Sequence, residues 1–119
     1  MFVTRLADLL GTADEAHGTK WHSIQLTRAS GDFDLVLADT VLEAGFSADL
    51  PVLPGRQVRY CIEGEGIVDD ATGGDSHRIR PGTAFAFRQG GPCRLRVHTR
   101  MRLVSICVPS AKKADHPLW

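Results

Sequence analysis

The groups in this chain that can do chemistry are few and scattered. Cys61, Cys93 and Cys107 sit in strand-like stretches without a CxxC spacing, and no two of the five histidines are spaced as a metal motif. A catalytic thiol needs a neighbouring base or cation. No histidine is in phase with Cys93 or Cys107, so the residues alone favour inert, buried thiols. His22, His77, His98 and His116 read as solvent-facing or terminal, and Glu63 and Glu65 flank glycines as solvated turn residues. Gln57 and Arg59 are a more promising pair, because two residues apart on a strand they share a face. Turned inward, they could hold an enolate, carboxylate or carbonyl oxygen. A donor placed where charge develops is worth about 3–4 kcal/mol. The opposite face carries Val58, Tyr60 and Ile62, and if that face is the core, Arg59 stands in water. Alternation alone leans towards that second orientation.

The elements that must position these residues are short strands between Gly/Pro turns. Tyr60-Cys61-Ile62-Glu63-Gly64-Glu65-Gly66 is a strand running into a glycine bend, and Ile79-Arg80-Pro81-Gly82-Thr83 ends one strand and starts another. Before them, Phe2-Val3 reads as a short strand and Leu6, Leu9 and Leu10 as a brief helix stopped by Gly11. Asp14–Thr19 reads as a polar loop, Trp21–Thr27 as an alternating strand and Ser30-Gly31-Asp32 as a turn. Phe33–Leu42 is apolar on both faces, and Asp49–Gly55 is a loop or irregular edge. After the bend come a short strand at Ile67-Val68, a hairpin turn at Thr72-Gly73-Gly74-Asp75, a return strand over 76–80 and a strand at Ala84–Phe87. Gln89–Pro92 is a loop, and Cys93–His98 with Met101–Val108 reads as a final hairpin. The fold class is all-β: a jelly-roll type barrel with one short N-terminal helix, in a single domain over residues 1–119.

Composition excludes several function classes. Fourteen basic residues balance fourteen acidic ones, giving a net charge of zero, so no field gathers nucleic acid. Arg94, Arg96, Arg100 and Arg102 interleave with apolar residues as a solvated strand face. No apolar run approaches the roughly 18 residues of a membrane span, and the N-terminus lacks the regions of a signal peptide. An odd number of cysteines suggests reduced thiols and a cytoplasmic location.

The stretch from Tyr60 to Gly66, followed by Ile79-x-Pro81-Gly82-Thr83 and Arg102-Leu103-Val104, resembles ectoine synthase, a small dimeric cupin. Leu6-Ala7, Gly11-Thr12, Trp21, Ser23, Thr40, Ala44-Gly45 and Pro109 fall in step with that family. The resemblance implies a cupin barrel, a homodimer, and a lyase that closes a diamino acid derivative to a cyclic amidine by loss of water, using a bound iron. It also turns Arg59 into the lumen, with Trp21, Gln25, Val36, Thr40, Gln57, Phe85, Phe87, Cys93 and Cys107 around it.

The chain departs from the family where iron and substrate bind. Gly45, Gln57 and Gly64 keep the frame of the first cupin motif, but Pro51 and Leu53 stand at its histidine positions. The glutamate, tyrosine and histidine that hold iron in ectoine synthases correspond to Gln57, Phe85 and Cys93. One thiolate is not a site, since zinc or iron needs about three protein ligands. A family arginine reads as Gln25, a late aromatic as Cys107, and the acidic, histidine-containing C-terminal motif as Ser110–Trp119.

From these departures the sequence reading favours a cyclase or lyase that uses no metal or other cofactor and closes a largely apolar, polyketide-like intermediate in specialised metabolism. Arg59 and Gln57 would be catalytic, and Trp21, Gln25, Thr40, Phe85, Phe87, Cys93 and Cys107 would bind substrate. Two alternatives stand beside it: a metal-dependent, ectoine synthase-like hydro-lyase with an atypical ligand set, and a non-catalytic small-molecule-binding cupin. The expected partners are a small molecule and a second copy of the chain, with no nucleic acid or membrane.

Overall fold

The structure, a computed structural model, describes residues 1–27, 35–50, 55–70, 74–86 and 93–109. Its strands are β1 (Glu15–Gly18), β2 (Trp21–Gln25), β3 (Val36–Leu42), β4 (Ser47–Leu50), β5 (Gly55–Asp70), β6 (Ser76–Ile79), β7 (Ala84–Ala86) and β8 (Cys93–Pro109). All pairings are antiparallel and join the strands into one connected sheet.

Two long strands, β5 and β8, pair from Gly55↔Pro109 to Asp70↔Cys93 and form the spine. One half of this ribbon carries β3, β2 and β1 beyond β8, and β7 beyond β5. The other half carries β4 beyond β8 and β6 beyond β5. A ribbon flanked by different strands at its two ends folds into a jelly-roll barrel, the expected class.

The change of direction falls at the register shifts of β5 between Cys61 and Gly66. Gly64 has φ +87°, and a Cβ there would lie 2.1 Å from the Arg100 carbonyl oxygen. A Cβ at Gly66 would lie 2.4 Å from the Arg96 carbonyl oxygen. Glycine is therefore required twice over, for conformation and for the close approach of β8. The Pro81-Gly82 turn closes as read, with Gly82 N–H donating to the Cys61 carbonyl at 2.9 Å and Gly82 at φ +91°.

Several local expectations change. The last hairpin is one continuous strand: nothing at Thr99-Arg100 forces a reversal, and its two halves are held by β4 and β3. Likewise Gln57–Ile62 and Ile67-Val68 are parts of one bulged β5. The supposed loop at Asp14–Thr19 contains β1, because the left-handed Lys20 (φ 64°) closes a tight hairpin to β2. Ser47–Leu50 is a strand against Cys93–Arg96, Phe2-Val3 is not, and the brief helix is a single 3-10 turn over Leu6–Leu9. The turn at Ser30–Asp32, the loop at Gln89–Pro92 and Phe87 lie outside the described residues.

The apolar core reaches from the β4–β6 half, where Leu50, Ile79 and Leu95 are buried with Phe46 and Val97 around them, across the bulge to Leu42 of β3 and its neighbours Cys61, Met101 and Leu103. Trp21 and Phe85 pack against this cluster. No helix among the described residues is long and apolar enough to cross a membrane.

Candidate functional site

Beyond that core, the interior between β2, β3, β8 and β5 is largely polar. Strand alternation places Gln57 and Arg59 of β5, Ser105 and Cys107 of β8, Val36, Ala38 and Thr40 of β3, and Ser23 and Gln25 of β2 on one inward face. The register fixes their order. Gln25, Ala38, Ser105, Arg59 and Phe85 form one row across five strands. On one side of it run Val36, Cys107 and Gln57, and on the other Ser23, Thr40, Leu103 and Cys61.

Arg59 is only 1 % exposed, so the lumen orientation holds and the core orientation suggested by alternation does not. Val58 and Tyr60, which alternation offered as core, are 43 % and 46 % exposed. Burial pushes the Arg59 guanidinium down to about 10, against the opposing pull of the Cys93 and Cys107 thiols, so it stays charged at neutral pH. Burial pushes Cys93 up to about 11 despite the cation beside it, and raises Cys107 by the same cause. Both thiols are protonated near neutrality and are poor nucleophiles.

Two hydroxyls in the site satisfy each other, Ser23 Oγ and Thr40 Oγ1 at 2.8 Å. Gln57 Nε2 and Ser105 Oγ, by contrast, are buried without a hydrogen-bond partner among the described residues. Of the expected site residues, Thr40, Gln57, Arg59, Cys93 and Cys107 are buried, while Trp21, Gln25 and Phe85 are half-buried. Ser23 and Ser105 belong to this interior too; Ser23 alternates with Trp21 and Gln25 on β2, whereas only pairing register reveals Ser105, since serine in a strand carries no signal of its own.

Of the positions that the resemblance assigns to iron ligands, Phe85 is the cross-strand partner of Arg59, Gln57 is two residues from it and Cys93 acts on its charge, but they do not suit a metal. They offer a neutral amide, a phenyl ring and a protonated thiol beside a guanidinium that repels any cation. No group of three or more His, Cys, Asp or Glu side chains able to hold a metal occurs among the described residues.

A second, open pocket lies on the opposite face of β2, β3 and β8, under the Leu6–Leu9 turn, with Leu10, His22, Asp39 and Arg102 in its wall. Three of its charged or titratable side chains are engaged. Arg102 makes a bidentate pair with Asp39, at 2.9 and 2.6 Å, and His22 pairs with Glu15. The Gly11 N–H, more than His22, holds the Glu15 carboxyl below its usual range.

Barrel and site together define a cupin. An RmlC-like cupin from Shewanella frigidimarina superimposes with a TM-score of 0.67 at 18 % identity, over 82 % of this chain and 84 % of that one. The ectoine synthase family model matches residues 1–115, and this chain belongs to that family. It is 31 % identical to L-ectoine synthase of Oceanobacillus iheyensis over 92 % of this chain and 86 % of the relative. For the Halalkalibacterium halodurans L-ectoine synthase the figures are 30 %, 92 % and 84 %. The crystal structure of ectoine synthase from P. lautus matches with a TM-score of 0.84 at 29 % identity, over 92 % and 80 % of the two chains.

These relatives overturn the reading of a metal-free cyclase for an apolar, polyketide-like intermediate. That reading rested on aromatic residues lining the site. Trp21 and Phe85 instead pack into the core cluster, and the groups left for a ligand are mainly polar.

Proposed function

We propose that this chain is a hydro-lyase of the ectoine synthase kind, closing a small diamino acid derivative to a cyclic amidine with loss of water inside the barrel. The carrying observation is the family match over residues 1–115. Ring closure forms a C–N bond and expels the carbonyl oxygen as water. The chain's own residues supply donors to that oxygen and to the substrate's carboxylate, and the barrel excludes bulk water. No step is assigned to iron, because Gln57, Phe85 and Cys93 do not form its ligand set.

The test is to incubate the purified protein with the diamino acid derivative that ectoine synthases close, with and without added ferrous iron, and to quantify ectoine by NMR. Ectoine above the uncatalysed background is expected; its absence under both conditions overturns the reading. Loss of the three ligand positions favours a second reading, a cupin that binds such a molecule without turning it over. Ectoine binding without turnover would support it.

A homodimer accompanies this reading. Val58, Tyr60, Ile106 and Val108 line the outer face of the β5–β8 ribbon at 39–46 % exposure, and Val58 and Ile106 are cross-strand partners. Such an apolar strip suits a second copy of the chain. The cysteines, all free and buried, support a reducing compartment such as the cytoplasm.

A further inference from the structure

We propose that Arg59, Gln57 and Ser105 form an anion site that takes a carboxylate at the place where the family resemblance puts iron. The polarity of the site is inverted relative to a metal centre. A guanidinium offers only donors, an amide nitrogen offers two more, and a serine hydroxyl can offer one.

Arg59 and Ser105 are directly paired across β5 and β8, and Gln57 is two residues from Arg59 on the same face. All three side chains are at least nine-tenths buried, with Arg59 1 %, Ser105 2 % and Gln57 9 % exposed. The Gln57 amide nitrogen and the Ser105 hydroxyl lack a hydrogen-bond partner among the described residues. Buried polar atoms left unsatisfied cost about 1–3 kcal/mol each. One opposite a buried cation and one two residues along its strand mark a place prepared for an acceptor.

A carboxylate fits that place. Its two oxygens accept from the guanidinium fork in bidentate fashion, with lone pairs left for Nε2 and Oγ. A divalent cation would meet a positive charge and donor hydrogens instead of lone pairs.

The inference stands beside the hydro-lyase reading and is tested apart from it. Acetate and ethylammonium, matched in size and opposite in charge, are titrated into the intact protein and followed by protein NMR. Saturable shifts with acetate at interior residues of β5 and β8, and none with ethylammonium, are expected. Arg59→Met should weaken acetate at least tenfold.

Gln57→Glu should also abolish acetate binding, because the new carboxylate takes the guanidinium itself. That variant carries the test if Arg59→Met fails to fold. Acetate binding unchanged in either folded variant, no saturable binding by the wild type, or stoichiometric ferrous iron bound by the wild type would each overturn the site. Acetate binding without ectoine formation leaves the site standing and removes the hydro-lyase reading. Ectoine formation with no carboxylate binding does the reverse.

Discussion

The two halves of the β5–β8 ribbon obey opposite rules. Around Val68, Leu95 and Val97 the strands are ordinary: apolar side chains are buried, and Asp69, Arg94 and Arg96 face outward in ion pairs. Past the Gly64 bulge the pattern inverts. Gln57, Arg59 and Ser105 are buried, whereas Val58, Tyr60 and Ile106 are 43 %, 46 % and 44 % exposed.

A one-residue slip would exchange the two faces of β5, and burial energies alone would favour it, since burying polar groups costs free energy and exposing apolar ones forgoes a gain. The register is held instead by the bulge and by β7 and β8 on either side. A half-strand kept against its own hydrophobic preference is where function, rather than stability, has set the residues.

The largest effect should come from the hinge between the halves. Gly64→Ala imposes a left-handed conformation costing about 1–2 kcal/mol. It also sets a methyl carbon 2.1 Å from the Arg100 carbonyl oxygen, on a backbone that cannot swing away. The variant should show no cooperative unfolding transition near the wild-type midpoint. Gly74→Ala, at φ +71° with nothing within 4 Å of the new methyl, should cost only about 1 kcal/mol by urea denaturation. Equal losses at the two sites would show that conformation alone, not the close approach of β8, demands glycine at 64.

Next in size is the contrast between the interiors. Leu95, fully buried in the ordinary half, should lose about 2–5 kcal/mol on substitution by alanine. Arg59→Met, which removes a buried charge but keeps an apolar side chain in the interior, should cost less stability than Leu95→Ala, while ectoine formation falls at least tenfold. An Arg59→Met protein as unstable as Leu95→Ala would assign Arg59 to the framework and end the distinction between the halves.

This contrast also explains how far the sequence was legible. Glycines and the Pro81-Gly82 turn announce the barrel because they respond to local demands of backbone angle and close approach. The inward face of Gln57–Tyr60 does not announce itself: hydrophobic alternation points the wrong way there, and only the family register turns Arg59 inward. The continuity of β8 was hidden for a related reason. Two arms with different partners look like a hairpin until pairing shows one strand serving both. Ser105 was invisible because its importance comes from standing opposite Arg59.

A smaller effect separates the thiols from reactive ones. Cys93 is pushed up to about 11 by burial, and Cys61 and Cys107 shift the same way. Between the ordinary thiol range and the raised folded value the native state holds more protons than the unfolded chain, so stability falls as pH rises through that window. Urea midpoints should therefore decline above about pH 8.5, less so in Cys93→Ala. Iodoacetamide should label the native protein far more slowly than the unfolded one at pH 8. Rapid native labelling of Cys107 would mean that the polar half is open and activating.

On the outer faces the same comparison predicts a split response to charge. The homodimer proposed above predicts a dimer mass for the wild type by light scattering and a monomer mass for Ile106→Asp; a wild-type monomer would overturn it.

In the ordinary half, the Asp69 carboxylate accepts from Ser76 Oγ at 2.6 Å and from Arg96 at 2.9 and 3.2 Å, which holds it below the usual carboxylate range. A depressed carboxylate contributes stability that is present above its unfolded pKa and lost as pH falls through the folded one. Asp69→Asn should flatten that acid limb while leaving the midpoint at pH 7 nearly unchanged, because exposed pairs are worth little and are screened by salt. If Asp69→Asn lowers stability at neutral pH as much as Leu95→Ala does, the ionic belt, and not the apolar interior behind it, holds the ordinary half in register.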